Sequence, residues 1–283
     1  MEIGVNVPNF GPGTSPARLR DWAQVVEGLG YDLLMMSDHV VITPDVAEQY
    51  PAPFYEPFTT LSWLAGLTSR VKLGTTVLIA PYRHPLLVAR MAANLAELSD
   101  DRLILGVGAG WAQQEFAALG TSHETRGRQT TDLLTTLRSA WSDTADYGKT
   151  TIPLWVGGNS DAAIRRAIRY GDAWHPLRQS LNWLRAATTR VGSLAAALDR
   201  PVPLFTPRIL LRLTPEPLPD SRLAGEGSIK QVLADLDVLR ALGASTVVLD
   251  PFVGDPAETL HPEAAWQSLA TLAAHLTRSP HDA

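Results

Sequence analysis

The sequence predicts an α/β fold, a single-domain (β/α)8 TIM barrel over residues 1–283. Three observations carry this reading. Strand-like and helix-like segments alternate from end to end, as eight pairs. The strand segments are apolar throughout rather than at every second residue, as expected of strands buried on both faces of a parallel sheet. The length of 283 residues is near the roughly 250 of a closed barrel, and no shift in composition marks a domain boundary. A doubly wound open sheet is the rival topology, and eight regular repeats argue against it.

Ile3–Val7 is the first strand. Ser15-Pro16 opens the first helix, with serine as cap and proline in the first turn. Leu19, Trp22, Ala23 and Val26 then share one face, and Gly28 and Gly30 close the helix. The second pair is strand Leu33–Met36 with helix Thr59–Leu67, and the third is Val71–Ile79 with Pro85–Leu98. The fourth is Leu103–Val107 with Glu124–Trp141, and the fifth is Pro153–Val156 with Asp161–Tyr170. The sixth is a short strand, Ala173–Trp174, with Leu181–Leu198. The seventh is Phe205–Leu213 with Ile229–Leu242, and the eighth is Thr246–Leu249 with Pro262–Leu276. The proline-rich stretch 214–220 reads as a surface loop after the seventh strand.

Composition removes several classes of function. The net charge is −5 and the sequence carries no basic cluster, so a nucleic-acid partner is not expected. With no cysteine there is no disulfide, thiolate metal site or cysteine nucleophile. No apolar run reaches the 18 or so residues of a membrane span, and the first residues lack a basic leader, so the expectation is a cytoplasmic protein with no membrane partner.

In a barrel the chemistry sits where the strands end. Those positions are Asn6, Asn9 and Phe10; Ser37, Asp38 and His39; Thr75, Thr76 and Val77; Gly106–Trp111 with Gln113, Gln114 and Glu115; Gly157–Ser160; and Trp174 with His175. The richest stretch is 152–174. It reads as a buried strand, a Gly157-Gly158 turn, and a helix opened by Asn159 or Ser160. Free amides and a helix dipole at such a turn suit a phosphate, and the missing β-carbons allow close approach. It is neither a Walker loop nor a GxGxxG fingerprint, so an ordinary βα turn is the plain alternative. Asp38-His39 pairs an acid with an imidazole at a strand end, where His39 could donate a hydrogen bond or proton; a cap aspartate beside a packed histidine is the alternative. The glycines alternating from 106 to 110 admit either a flat ring or a tight barrel corner. His39, His84, His123 and His175 are scattered without metal-ligand spacing, so no metal is expected. A Gly-x-Ser-x-Gly elbow is absent.

Five segments, in order, resemble the luciferase-like monooxygenase superfamily: VPNFG (7–11), SDHV (37–40), LGTTVLIAPYRHPLLVARMAANLAELSDDRLILGVGAGW (73–111), RGRQTTDLL (126–134) and LWVGGNSDAAIRRAIRYGDAW (154–174). They look most like its actinobacterial branch that uses the deazaflavin coenzyme F420. The resemblance spans roughly residues 1–176, and beyond that only the architecture matches. It implies a TIM barrel that binds a flavin or deazaflavin at its C-terminal mouth. Asp38 and His39 match the strand-two pair beside the ring, with His39 relaying a proton and Asp38 orienting it. Thr76-Val77 matches a position that often holds a non-prolyl cis peptide. Ala109, Gly110 and Gln114 match the strand-four wall, and Gly157, Gly158, Asn159 and Ser160 match the cofactor phosphate turn. Asn6 and Thr75 complete the expected cofactor set. Phe10, Trp111 and Trp174 would wall the substrate pocket; Trp111 stands where some deazaflavin dehydrogenases place an acidic catalytic residue. Arg83, Arg165 and Arg178 are candidate counter-charges for the acidic tail of the deazaflavin. The segment between Trp141 and Ile152, between the fourth and fifth strands, is shorter than relatives usually carry, which implies a more open mouth or a lid from another subunit.

The expected function is therefore hydride transfer between coenzyme F420 and an organic small-molecule substrate. Two alternatives stand beside it: an FMN-dependent monooxygenase fed by a partner reductase, and a degenerate flavin-binding barrel without turnover. The resemblance also implies a homodimer.

Overall fold

The computed structural model describes residues 1–142, 144–147 and 151–276. The strands are β1 (Glu2–Asn6), β2 (Leu33–Met36), β3 (Lys72–Thr75), β4 (Leu78–Ile79), β5 (Leu103–Gly108), β6 (Leu154–Gly157), β7 (Ala173–His175), β8 (Leu204–Phe205), β9 (Arg208–Leu210), β10 (Arg212–Leu213), β11 (Glu226–Gly227) and β12 (Thr246–Asp250). The helices are α1 (Pro16–Gly28), α2 (Pro44–Ala47), α3 (Pro57–Ala65), α4 (Pro85–Leu98), α5 (Gln113–Ala118), α6 (Arg126–Ser142), α7 (Thr144–Tyr147), α8 (Asp161–Tyr170), α9 (Leu181–Ala197), α10 (Ile229–Ala241) and α11 (Glu263–Leu276).

The main sheet runs β8-β7-β6-β5-β3-β2-β1-β12-β9, with β4 on β5, and every pairing is parallel. The two ends of that order are consecutive in sequence. β8 pairs with β7 and β9 pairs with β12, and only Thr206-Pro207 lies between them. They form one broken stave, and β3 with β4 forms another, so the sheet curls into a ring of eight staves. The sequence reads both as continuous strands. One breaks at Thr76-Val77, a cis peptide, and the other at Pro207, which has no N–H to give to a ladder. Past β9, Arg212–Leu213 leaves the ring and pairs with β11, on the far side of the proline-rich loop.

Successive residues point in and out of the ring. Leu33, Met35, Ile104, Trp155, Ala173 and Val248 pack together inside it. Leu34, Met36, Leu105, Val247 and Leu249 face the helices and join the larger outer core. Serine caps set the helix starts. Ser15 accepts from the Arg18 amide, Ser160 from Ala163 and Ser180 from Trp183, and Ser228 forms a reciprocal box with Gln231. α4 and α8 occupy the spans that their sequence punctuation predicts. α3 begins earlier than expected, at Pro57, because Glu56 caps it through the Thr59 amide at 2.7 Å. The short segment expected to leave the mouth open lies partly outside the described residues, at 143 and 148–150. Among the described residues, no helix is long and apolar enough to cross a membrane.

Candidate active site

The barrel mouth opens on a cavity of about 550 Å3, within the roughly 300–1,000 Å3 of small-molecule sites. Ser37, Asp38, His39, Tyr50 and Trp111 line its β2 side. Thr76, Val77, His175 and Arg208 line the middle, and Gly157–Ser160, Arg126 and Arg166 line the β6 side.

On the β2 side the partnership differs from the expected one. Asp38 does not orient His39. Its carboxylate accepts Arg83 Nη1 at 2.7 Å and Nη2 at 2.9 Å, plus the Ile79 amide at 2.8 Å. Burial pushes the Asp38 carboxyl up, against the pull of Arg83. Arg83 also grips Glu56 at 2.9 Å, so this pair fixes the exits of β2 and β4. The partner of His39 is Glu115, which lies 2.6 Å from Nδ1 and is fully buried. Glu115 also accepts from the amides of Val40 (2.6 Å) and Val41 (3.1 Å) and from Tyr82 Oη (3.0 Å). Burial by itself would raise its carboxyl. The His39 bond and charge and the two amides overcome that, and hold the group below its ordinary value. An ionised Glu115 accepts, so Nδ1 of His39 carries the proton. Nε2 has no partner among the described residues, and the ring lines the cavity. Tyr50 stacks on His39 at 5.4 Å, and Trp111 meets it edge-on at 5.8 Å.

The middle is a buried polar network. Arg178 and Arg208 both grip Asp250, at 2.6 and 2.7 Å, and Asn6 donates to its other oxygen at 3.1 Å. Burial raises the Asp250 carboxyl, but the two guanidiniums overcome it and hold the group low. Arg208 Nη1 donates to the Thr76 carbonyl at 2.6 Å. His175 Nδ1 meets the Thr206 carbonyl, which can only accept, so Nε2 is the bare nitrogen and Thr76 Oγ1 donates to it at 2.9 Å. Burial holds the His175 imidazole down at about 4, so it is neutral near pH 7.

On the β6 side, Ser160 Oγ takes the Ala163 amide at 3.3 Å. Among the described residues nothing accepts from the amides of Asp161 and Ala162, which open the helix. Gly158 sits at φ +122°, a conformation that suits glycine. The other glycines make room for protein. A β-carbon would fall 2.1 Å from the Thr75 carbonyl oxygen at Gly106, 2.4 Å from Val77 Cγ2 at Gly108 and 2.8 Å from Val77 Cγ1 at Gly157. Of the two readings of the glycine run, the tight barrel corner is what these contacts describe.

Of the expected residues, Asp38, His39, Thr76, Val77, Ala109, Gly110, Trp111, Gly157, Gly158, Asn159 and Ser160 line the cavity. Five others do not. Asn6 is buried against Asp250. Thr75 Oγ1 donates to the Gly106 carbonyl at 2.7 Å. Gln114 is exposed on α5, and its backbone N–H donates to Asp45 Oδ2 at 3.1 Å. Phe10 packs behind the wall against Tyr50, Phe54 and Phe252. Trp174 faces the helices, where it stacks on Phe205 and donates Nε1 to the Gly158 carbonyl at 2.9 Å, because the in-out alternation of β7 turns Ala173 and His175 inward. The three candidate tail arginines are spoken for: Arg83 by Asp38 and Glu56, Arg178 by Asp250, and Arg165 by Asp161 at 3.8 Å on the exposed surface. The sequence places Glu115 among the strand-end candidates without giving it a role, and it points to none of Tyr50, Arg126, Arg166 or Arg208. Their partners lie far along the chain, where no local pattern records them.

A model described as luciferase-like monooxygenase matches residues 1–222. An F420-dependent glucose-6-phosphate dehydrogenase of Kineococcus radiotolerans is 30% identical over 179 residues, covering 56% of this chain and 52% of that protein. An F420-dependent hydroxymycolic acid dehydrogenase of Mycobacterium tuberculosis is 29% identical over 202 residues, covering 64% and 55%. The chain thus spans about half to three fifths of the length of the curated relatives it matches. Two solved structures share the fold at low identity. An F420-dependent secondary alcohol dehydrogenase in complex with an F420-acetone adduct superposes with a TM-score of 0.72 at 16% identity, over 95% of this chain and 98% of that one. The oxygenating constituent of a Pseudomonas putida 3,6-diketocamphane monooxygenase, in complex with FMN, gives 0.75 at 15%, over 96% of each. At such identities these two speak for the barrel alone. With the family match over most of its length, the chain belongs to the luciferase-like monooxygenase family.

Proposed function

We propose that the chain is an oxidoreductase that moves hydride between coenzyme F420 and a small organic alcohol or carbonyl compound. The observation that carries this is the His39–Glu115 pair, whose unpartnered Nε2 edge lines the cavity across from the open amide turn. The residues present fit the cofactor: the amides of Asp161 and Ala162 suit its phosphate, and the cavity has the volume for a ring. When bound, a deazaflavin supplies a carbon centre that exchanges hydride rather than activating oxygen. The choice of deazaflavin over FMN rests on the relatives near 30% identity, whose names are F420-dependent.

The chain's own residues supply orientation and the proton. Glu115 holds Nδ1–H and fixes the tautomer, so Nε2 takes the hydroxyl proton of an alcohol as its C–H hydride leaves. The carboxylate then stabilises the imidazolium, and in the reverse direction His39 returns the proton to the new alkoxide. Tyr50 and Trp111 hold an apolar body against this edge and limit water. The test is turnover of F420 with a panel of secondary alcohols, followed by cofactor absorbance. His39→Gln should slow it by about 10²–10⁴-fold while cofactor still binds. Bound F420 with no absorbance change across the panel would sink the proposal.

A further inference from the structure

The donors that reach Glu115 fall unevenly on its two oxygens. Oε1 takes the amides of Val40 and Val41. Oε2 takes two side chains, His39 Nδ1 at 2.6 Å and Tyr82 Oη at 3.0 Å. The imidazole and the phenol therefore share one carboxylate oxygen. Among the described residues no arginine or lysine pairs with Glu115, so these donors answer its charge. Tyr82 is half-buried and stands behind the cavity wall, outside the lining. It ends the 3-10 turn Ala80–Tyr82, and its ring meets Phe116, the residue after Glu115, edge-on at 5.0 Å. Packing thus holds both ends of the phenol bond. Burial, the charge of Glu115 and the bond to it all raise the phenol above its ordinary value, so Tyr82 stays a donor and passes no proton on.

We infer that Tyr82 is a positioning residue that sets how tightly Glu115 holds His39, and through it the pH above which His39 works as a base. This rests on the hydride-transfer reading above, in which Nε2 of His39 takes the proton of an alcohol. A hydrogen bond to an ionised oxygen draws on its charge, and two donors on one oxygen compete. With the phenol in place, Oε2 stabilises the imidazolium less, and Nε2 sheds its proton more readily. Without it, the whole of that oxygen acts on His39, and the imidazolium persists to higher pH. The other charged groups around the pair are met elsewhere. Asp38 and Glu56 hold Arg83, and Asp45 on α2 takes Thr43 Oγ1 and the Gln114 amide. Arg126 bonds the His123 carbonyl, and the His123 ring lies against Phe116 at 5.2 Å. Tyr50 stacks on the imidazole, and Glu124 and Arg166 stand on the cavity wall. A change confined to the Tyr82 hydroxyl leaves all of these in place, so the difference from the parent isolates the phenol.

The experiment compares the full chain with Tyr82→Phe and with a form carrying 3-fluorotyrosine at position 82, whose phenol is a stronger donor. Two readouts are taken: the pH profile of kcat/KM for F420-linked alcohol oxidation, and the titration of the His39 ring by NMR on histidine-labelled protein, assigned with His39→Gln. In Tyr82→Phe the acid limb and the ring titration should both move up by about half to one pH unit, with the alkaline plateau of kcat within about tenfold of the parent. In the fluorotyrosine form both should move down. Midpoints that stay at the parent value in both forms would overturn the inference. So would a slower Tyr82→Phe with the parent's Tm and an unmoved limb, since a phenol that only packs gives that result. If the parent binds F420 without turnover, the hydride reading falls and the ring titration decides alone: an upward move in Tyr82→Phe keeps the coupling, and an unmoved ring removes it. If Tyr82→Phe does not fold, the fluorotyrosine form decides in the same way, by a downward move or none.

Discussion

Replacing Glu115 by glutamine would keep the shape of the side chain and remove the charge that fixes the His39 tautomer. Turnover should then fall by about 10²–10⁴-fold with little change in KM, read from steady-state kinetics. An unchanged kcat would mean that the carboxylate only packs. His175 gives a pH test. Its folded value near 4 lies below the ordinary 6.5, so the folded state resists protonation. Its contribution to stability is whole above about pH 6.5 and fades as pH falls toward 4, by at most about 1.4 kcal/mol per pH unit. Urea midpoints at about pH 7.5 and 5 should diverge more in the parent than in His175→Asn; equal divergence would contradict a buried neutral imidazole. The position of His39 is legible in the sequence, because Asp38-His39 ends an apolar strand. Its partner is not. The adjacent Asp38 is claimed by Arg83, and Glu115 arrives from 76 residues away.

At the scale of elements, the barrel staves that break at the mouth build the site. Gly106 lets the Thr75 carbonyl pass where a β-carbon would lie 2.1 Å away, so Gly106→Ala must displace the segment that leads to Thr76 and Val77. Stability should drop by about 1–3 kcal/mol in urea titrations, and a parent-like midpoint would show that the strand can shift freely. Ser160→Ala removes the cap of α8 at about 1 kcal/mol, measured the same way. Helix spans are legible where punctuation is strong, as at Pro85 and Ser160. The breaks at Thr76-Val77 and Thr206-Pro207 are harder to read. Apolar content continues through them, and the contacts that define them, Arg208 to Thr76 and His175 to Thr206, are tertiary.

Across the whole molecule, Asp250 ties the ring together. It links β12 to β9 through Arg208, to the β7–α9 loop through Arg178 and to β1 through Asn6. Asp250→Asn would leave two guanidiniums without their carboxylate, and should cost about 3–5 kcal/mol by chemical denaturation. A loss under about 1 kcal/mol would show that solvent screens the cluster. The barrel is legible because periodicity and apolar strands are properties of the chain itself. The charge pattern of the mouth is not, because it depends on which cations the fold leaves unpaired. The central claim meets its most direct test in parallel titrations of the purified chain with coenzyme F420 and FMN, followed by tryptophan fluorescence, with Trp111 reporting from the cavity rim. Saturable quenching by F420 at lower concentration than by FMN is the predicted result. Tighter binding of FMN, or binding of neither, would contradict a deazaflavin hydride-transfer enzyme.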